Sequence, residues 1–405
     1  MSNSLVRGWC PGARRPMRSG DGLILRLRIT GGRLAREVAR AIADVAARYG
    51  NGELDLGRRG GLQLRGIHDE TFGAVETALS ELGLLDDDAG AEAIRNVVAS
   101  PLSDLDEAAK GDVLTVARRL EKALVADDAL QALPAKFGFS IDDGGRFSLA
   151  GVPADVRLRF VSGGLTISVA GDERAAVVQS EEVVPATLRL AQAFLLLSPC
   201  IDHPSPRRMA TLVKHLGADA VFAAAGLEPT VKIPEEHPGS APLIGAFPAY
   251  VGVGLPFGRI DADRLRFLAD VAVSDIRLTP FRAVLLPAVS AGVLPSLADA
   301  GFITSPNDPL LSVTACSGAP ACSSANIETR DLAHRLATLK TGAHGVWLHI
   351  SGCEKGCASS SAHAVTLVGR DGGLDLVLDG GPTDPPCHKS LSPEAVEALL
   401  RSGTI

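Results

Sequence analysis

Ser351-Gly352-Cys353-Glu354-Lys355-Gly356-Cys357 carries two cysteines with three residues between them, and Ala315-Cys316-Ser317-Gly318-Ala319-Pro320-Ala321-Cys322 carries two more with five between. Four thiolates on turns built from Gly, Ala and Ser suit a 4Fe-4S cluster, because small residues let backbone N–H groups approach the cluster sulfurs. A structural zinc site is one alternative, but its paired cysteines usually sit roughly two to four residues apart, and the Cys316–Cys322 pair is wider. Four free cysteines packed as small hydrophobes are the plainest alternative, which two glycine-flanked pairs fit poorly.

Working outward, the chain has 405 residues, 46% of them hydrophobic, with a formal net charge of -7 and a pI near 5.8. The length predicts about two or three domain-sized units. The acidic balance argues against nucleic acid as main partner, since phosphate binding wants a basic surface. The longest apolar run, residues 193–198, is far short of a membrane span, and no apolar segment follows the early arginines. Neither membrane insertion nor export is expected from that pattern, and seven cysteines then fit a reducing cytoplasm.

Residues 23–29 alternate apolar Leu23, Leu25, Leu27 and Ile29 with Ile24, Arg26 and Arg28, which predicts a strand with one core face. Leu34, Val38, Ile42 and Val45 form a helical stripe, residues 54–56 and 62–64 read as strands, and residues 71–82 as a second helix closed by Gly83. The same β-α-β-β-α order returns over residues 250–301, with a Gly-Leu-Pro-Phe-Gly turn between its first strand and its first helix. Leu79, Leu82, Gly83 and Leu84 match Leu297, Ala300, Gly301 and Phe302, and residues 94–101 take the place of 313–320, so the chain reads as an internal duplication. Between the repeats, hairpins are expected across Asp142-Asp143-Gly144-Gly145, joining 137–141 to 147–149, and across Ser162-Gly163-Gly164. Helices follow over about 185–197, 206–216 and 218–225. The Pro- and Gly-rich stretch 235–248 reads as a linker, and a hairpin and a helix close the chain.

The cysteine motifs and the duplication together resemble the sulfite and nitrite reductase family over nearly the whole chain. The resemblance implies an α+β fold of two pseudo-repeats, each a ferredoxin-like half-domain followed by half of a cluster- and tetrapyrrole-binding domain. The implied division is 1–85, 86–235, 236–305 and 306–405, with the cluster on Cys316, Cys322, Cys353 and Cys357 in the last. In that family the last cysteine also bridges to sirohaem iron, which would be Cys357 if sirohaem were bound. Three basic residues match the family's pattern for gripping tetrapyrrole carboxylates: Arg59, Arg95 in Ile-Arg-Asn-Val, and Lys136 in Leu-Pro-Ala-Lys-Phe. Arginine clamps a carboxylate through two parallel hydrogen bonds, and lysine supplies a point charge.

The pattern departs from the reductases at Gly138, where they carry a second lysine for the anionic substrate, and at Gly57-Arg58-Arg59-Gly60. The stretches 10–22, 254–259, 277–282 and 349–358 resemble the precorrin-3B synthase branch instead. That likeness implies O2-dependent hydroxylation of precorrin-3A at C20 with lactone formation in aerobic cobalamin biosynthesis. Electrons would come through the cluster from a separate reductase or ferredoxin, with NADH as indirect source, since no dinucleotide fingerprint is present. A mononuclear iron is also implied; His203, His349, His363, His388 and Cys10 are candidates by residue type alone. No residue is singled out as catalytic. The rivals are a sirohaem-containing sulfite or nitrite reductase and a non-catalytic electron carrier.

Overall fold

A computed structural model describes residues 11–201, 206–233, 242–339, 345–359, 361–370 and 372–402. Cys10, His203 and part of the 235–248 linker lie outside the described residues.

Two five-stranded sheets share one core. The first runs Met17–Ser19, Gly22–Leu27, Leu62–Ile67, Glu53–Leu56, Arg259–Asp261; the second runs Gly245–Ala246, Tyr250–Gly254, Ala283–Pro287, Asp275–Leu278, Arg33–Ala35. The final strand of each sheet comes from the other repeat: Ile260 pairs with Leu54, and Leu34 with Ile276. Each repeat thereby covers an edge that the other would leave open. Leu34 and Ile260 are buried in the same apolar cluster as Ile42, Val45, Leu265 and Leu268 of the helices Arg36–Tyr49 and Ala262–Val271. Leu34, expected at the head of a helical stripe, therefore belongs to an exchanged strand. Three residues carry too little periodicity to announce a strand whose partner is more than two hundred residues away.

The other two sheets repeat one topology. One runs Val231–Lys232, Arg174–Val178, Gly164–Val169, Val156–Val161, Phe139–Asp142, Val97–Ala99; the other runs Val313–Ala315, Leu348–Ser351, His363–Arg370, Gly373–Gly380, His388–Leu391. In both, the first two pairings in chain order are parallel and the third is antiparallel. The fold is thus α+β with two pseudo-repeats, and the helix ends agree in detail. Gly83 (φ 67°) and Gly301 (φ 82°) are both left-handed, and Leu84 and Phe302 return N–H bonds to the Leu79 and Leu297 carbonyls at 3.0 and 3.1 Å.

Two local expectations need correction. Val97, not Ile94, stands where Val313 does, because Asp88 caps a helix Ala89–Ile94 that occupies the preceding residues. The hairpin expected across Asp142–Gly145 is absent: Phe139–Asp142 pairs in parallel on both sides, and residues 147–149 form a loop. The Asp142 carboxylate accepts the Gly144 and Leu149 N–H groups at 2.8 Å each, which turns the chain away from a return strand.

One segment, 183–200, is long and apolar enough to cross a membrane by composition. It contains the helix Val183–Leu197, whose Val183, Leu190, Ala191 and Phe194 are buried against the first repeat's six-stranded sheet.

Candidate functional site

Cys316 and Cys353 follow the carboxyl ends of two adjacent parallel strands, Val313–Ala315 and Leu348–Ser351, so strand pairing brings their loops together. The Gly352 N–H donates to Cys316 Sγ at 3.2 Å, and a Cβ on Gly352 would lie 2.6 Å from Ala325 Cβ. Only glycine permits that approach. Ser351 Oγ donates to the Cys353 carbonyl and Thr329 Oγ1 to the Cys316 carbonyl, both at 2.6 Å. The first repeat braces the loop: Ser19 Oγ and Arg65 Nη2 donate to the Ala321 carbonyl at 2.7 and 2.9 Å.

Desolvation, then the charges of Cys316, Cys353 and Cys322, push the Cys357 thiol above its ordinary value; burial and Cys322 and Cys316 do the same for Cys353. Cysteines that act on the thiols of Cys353 and Cys357, with an N–H aimed at the sulfur of Cys316, suit the iron cations of a cluster. Among the described residues no three His, Cys, Asp or Glu side chains stand together as a single-ion site.

The first repeat keeps the same loop without cysteine. Ser100 stands where Cys316 does, and the Asp143 N–H donates to Ser100 Oγ at 3.0 Å, the counterpart of the Gly352 bond to sulfur. Burial, with the charges of Asp142 and Asp106, pushes the Asp143 carboxyl up to about 6 against the pull of the Gly145 N–H, and its Oδ2 has no hydrogen-bond partner among the described residues. The native state thus holds this proton to higher pH than the unfolded chain, so stability falls as pH rises from the ordinary carboxylate range through about 6. Asp143→Asn should flatten that slope, measured as urea midpoints across the interval; an unchanged slope would refute it.

Between the repeats lies a cleft of about 340 Å³, or about 1280 Å³ counted out to its mouth. Eight arginines line it, Arg26, Arg28, Arg58, Arg59, Arg65, Arg95, Arg282 and Arg330, against the acids Asp55 and Glu121. Cys316 and Cys357 form part of the same wall. Burial, then neighbouring arginines, lower Arg28 and Arg282 to about 10. Arg330 is lowered as well, burial first; its Nη2 pairs with Asp55 at 2.8 Å, and its Nε and Nη1 have no hydrogen-bond partner among the described residues. Burial would raise the Asp55 carboxyl, yet Arg330, Arg259 and Arg65 outweigh it and hold it at about 2. The cleft carries surplus positive charge that a polyanion would neutralise.

The three basic residues singled out from sequence fare differently. Arg59 lines the cleft, with Nη1 donating to Asn96 Oδ1 at 3.0 Å and Nη2 to the Lys136 carbonyl at 2.7 Å. Arg95 lines it too, but its guanidinium is paired with Asp86 and Glu121 at 2.8 and 2.9 Å. Lys136 is exposed at the rim, joined to Arg59 through its backbone. Gly138 is buried, and a Cβ there would meet Asn96 and Arg59 Nη2 at ordinary contact distances.

Sequence reading missed Arg26, Arg28, Arg282 and Arg330. The signal for the first two was present, since they alternate on the face of Gly22–Leu27 and its extension opposite the core. Arg282 and Arg330 are aligned only by the fold. Phe257, also on the cleft wall, has φ 54° where the first repeat uses Gly31 at φ 60°, and its ring packs edge-on against His334 at 5.0 Å. Of the iron candidates by type, His388 is exposed, and His349 and His363 meet edge-on with centroids 5.4 Å apart.

Comparison with known proteins accords with this geometry. Residues 15–82 and 248–300 match the nitrite/sulfite reductase ferredoxin-like half domain. Precorrin-3B synthase of Sinorhizobium sp. is 30% identical, the alignment covering 99% of this chain and 89% of that protein. Ferredoxin–nitrite reductase of Synechococcus elongatus is 27% identical over 90% of this chain and 81% of that one. The fold matches Mycobacterium tuberculosis NirA with a TM-score of 0.75 at 19% identity, over 94% of this chain and 80% of that chain. Likeness of this extent to the Sinorhizobium protein, on a scaffold shared with the nitrite reductases, means that the chain belongs to the precorrin-3B synthase family of oxidoreductases.

Proposed function

We propose that this protein converts precorrin-3A to precorrin-3B, hydroxylating the macrocycle at C20 with O2 and closing a lactone from the ring A acetate. The observation that carries the reading is the cleft with eight arginines and Cys316 and Cys357 in its wall. A polycarboxylate macrocycle supplies negative charge to a wall where Arg28 and Arg282 hydrogen-bond the neutral side chains of Asn96 and Thr314. Asn96 accepts from both Arg28 and Arg59 and so orients two guanidiniums together. Phe257 offers an apolar surface to the ring system, and closure of the cleft around the substrate excludes water from the reacting edge.

Bound at Cys316, Cys322, Cys353 and Cys357, a 4Fe-4S cluster would supply electrons singly at the cleft wall. Those electrons originate outside this chain, in a separate reductase or ferredoxin fed by NADH. Lactone closure asks the cleft to hold the ring A acetate as a carboxylate, which neighbouring guanidiniums favour.

Gly138 separates this reading from a sirohaem-containing nitrite or sulfite reductase. Its small size leaves the space beside Arg59 open, and a lysine there would add a like charge next to a guanidinium. The test is mass spectrometry of the product formed from precorrin-3A, O2 and a reductant, beside turnover of nitrite and sulfite, with wild type and Gly138→Lys. The expected result is an oxygenated lactone from the wild type and a loss of about a hundredfold in the variant, the scale of one misplaced group at a reacting edge. Efficient wild-type nitrite or sulfite reduction, strengthened by Gly138→Lys and without oxygenated product, would assign the reductase reaction instead.

A further inference from the structure

We propose that Arg282, tied to Thr314, grips a side-chain carboxylate of the tetrapyrrole at the cluster end of the cleft and so decides which edge of the macrocycle faces Cys316 and Cys357; the proposal rests on the reading above. The internal duplication provides a control. Turns 57–61 and 279–283 each join two strands of a half-domain sheet and close alike, with the Gly57 N–H on the Gly61 carbonyl at 2.8 Å and the Thr279 N–H on the Ala283 carbonyl at 3.1 Å. The fourth position is left-handed in both, Gly60 at φ 70° and Arg282 at φ 56°. Glycine takes that conformation freely and a long side chain does not, so the turn itself gives no reason for an arginine.

Further contacts fix the second turn around it. The buried Thr279 hydroxyl accepts the Phe281 and Ala283 N–H groups at 3.2 and 3.3 Å and donates to the Ala283 carbonyl at 2.8 Å. The Leu255 N–H donates to the Arg282 carbonyl at 2.7 Å, and a Cβ on Gly258 would lie 3.3 Å from Arg282 Cγ. At the far end of the side chain, Nη2 donates to Thr314 Oγ1 at 2.6 Å. Thr314 is the middle residue of Val313–Ala315, the strand that leads to Cys316, and in the first repeat Val98 holds that position. The first repeat thus has Gly60 and Val98 where the second has Arg282 and Thr314. A guanidinium and its anchor that occur together only in the half with the cysteines answer to what the cleft holds rather than to the fold.

What the anchored group lacks is an anion. Thr314 is neutral, and Arg282 forms no ion pair among the described residues; after burial, the groups that act on it most are Arg330 and Arg58, both cations, ahead of Asp55. Its guanidinium shares the cleft wall with Cys316 and Cys357. With Nη2 held by Thr314, the plane of the remaining donors is set for a carboxylate. On the first repeat's side of the cleft, Asn96 holds Arg28 and Arg59 in the same manner. Carboxylates gripped on both sides fix the rotation of the macrocycle in its pocket, which one grip would leave free.

The test measures precorrin-3A affinity by fluorescence quenching, product rate at saturating substrate, cluster iron and the urea midpoint for wild type, Arg282→Gly, Arg282→Lys and Thr314→Val. Glycine restores the turn of the first repeat, so Arg282→Gly should keep its iron and a midpoint at or above wild type while binding about tenfold or more weakly, the loss of one charge-assisted pair. Arg282→Lys keeps the charge without the fork and should recover part of that affinity. Thr314→Val leaves the charge but frees it, so product rate should fall more than affinity. If Arg282→Gly does not fold, Arg282→Asn carries the test, because asparagine tolerates the left-handed turn. Wild-type affinity in the folded neutral variant overturns the proposal and makes Arg282 a structural tie; a wild-type product rate in Thr314→Val overturns the anchored orientation. A wild type that binds precorrin-3A but forms no oxygenated product overturns the reaction, and the affinities alone then decide the role of Arg282.

Discussion

Replacing any one of Cys316, Cys322, Cys353 or Cys357 with Ser is expected to remove or degrade the cluster and abolish turnover, whereas Cys200→Ser and Cys387→Ser leave both intact. The controls follow from placement. Cys200 is exposed at the end of the turn Ser198–Cys200, and Cys387, also exposed, points its thiol at the Leu376 carbonyl at 3.3 Å. Burial, then the neighbouring cysteines of the set, instead push the Cys353 and Cys357 thiols up, a cost that bound iron would relieve. Iron and acid-labile sulfide analysis of anaerobically purified variants measures the outcome. Full cluster content in all four ligand variants would return these residues to packing.

Arg95→Ala and Arg59→Ala are expected to fail in different ways. Arg95 sits between Asp86 and Glu121, whose side chains are 14% and 8% exposed, and Thr30 Oγ1 donates to the same Glu121 oxygen. Burial already raises the Glu121 carboxyl, with Arg95 opposing it. Removing the guanidinium strands two buried carboxylates, an effect on the order of 3–5 kcal/mol in stability. Arg59 donates to Asn96 Oδ1 and to the Lys136 carbonyl, both neutral acceptors, so its loss should cost the fold less than that of Arg95 and weaken tetrapyrrole binding by about 1.5–3 kcal/mol. Urea denaturation and fluorescence-quenching titration separate the two. An Arg95→Ala protein as stable as wild type, with Arg59-like loss of affinity, would make Arg95 a ligand contact rather than a structural tie.

The contrast between these arginines shows where reading residues in order stops. Both stood in motifs that resembled carboxylate clamps, and only the fold reveals that Asp86 and Glu121 already occupy one of them. The reverse holds for Arg282 and Arg330. Neither belonged to a clamp motif in the sequence, yet chain crossing sets both in the cleft wall, where burial lowers both and leaves two nitrogens of Arg330 without a hydrogen-bond partner among the described residues.

By itself the sequence determined the features whose physics is local. Cysteine spacing with flanking glycines, the matched turns at Gly83 and Gly301, and the helical and alternating stripes all depend on neighbours within a few residues, so they were legible and the duplication with them. Tertiary structure alone decided what depends on contacts between distant segments. The exchanged strands Arg33–Ala35 and Arg259–Asp261 are too short to carry a period, and they exist because each covers the other repeat's edge. The Asp142–Gly145 stretch has hairpin composition, but parallel pairing on both sides and carboxylates turned onto loop N–H groups forbid a return strand. Whether a charge is spent on a neighbour or left for a ligand is likewise a matter of which side chains the fold brings within reach, and no single segment of the chain contains that information.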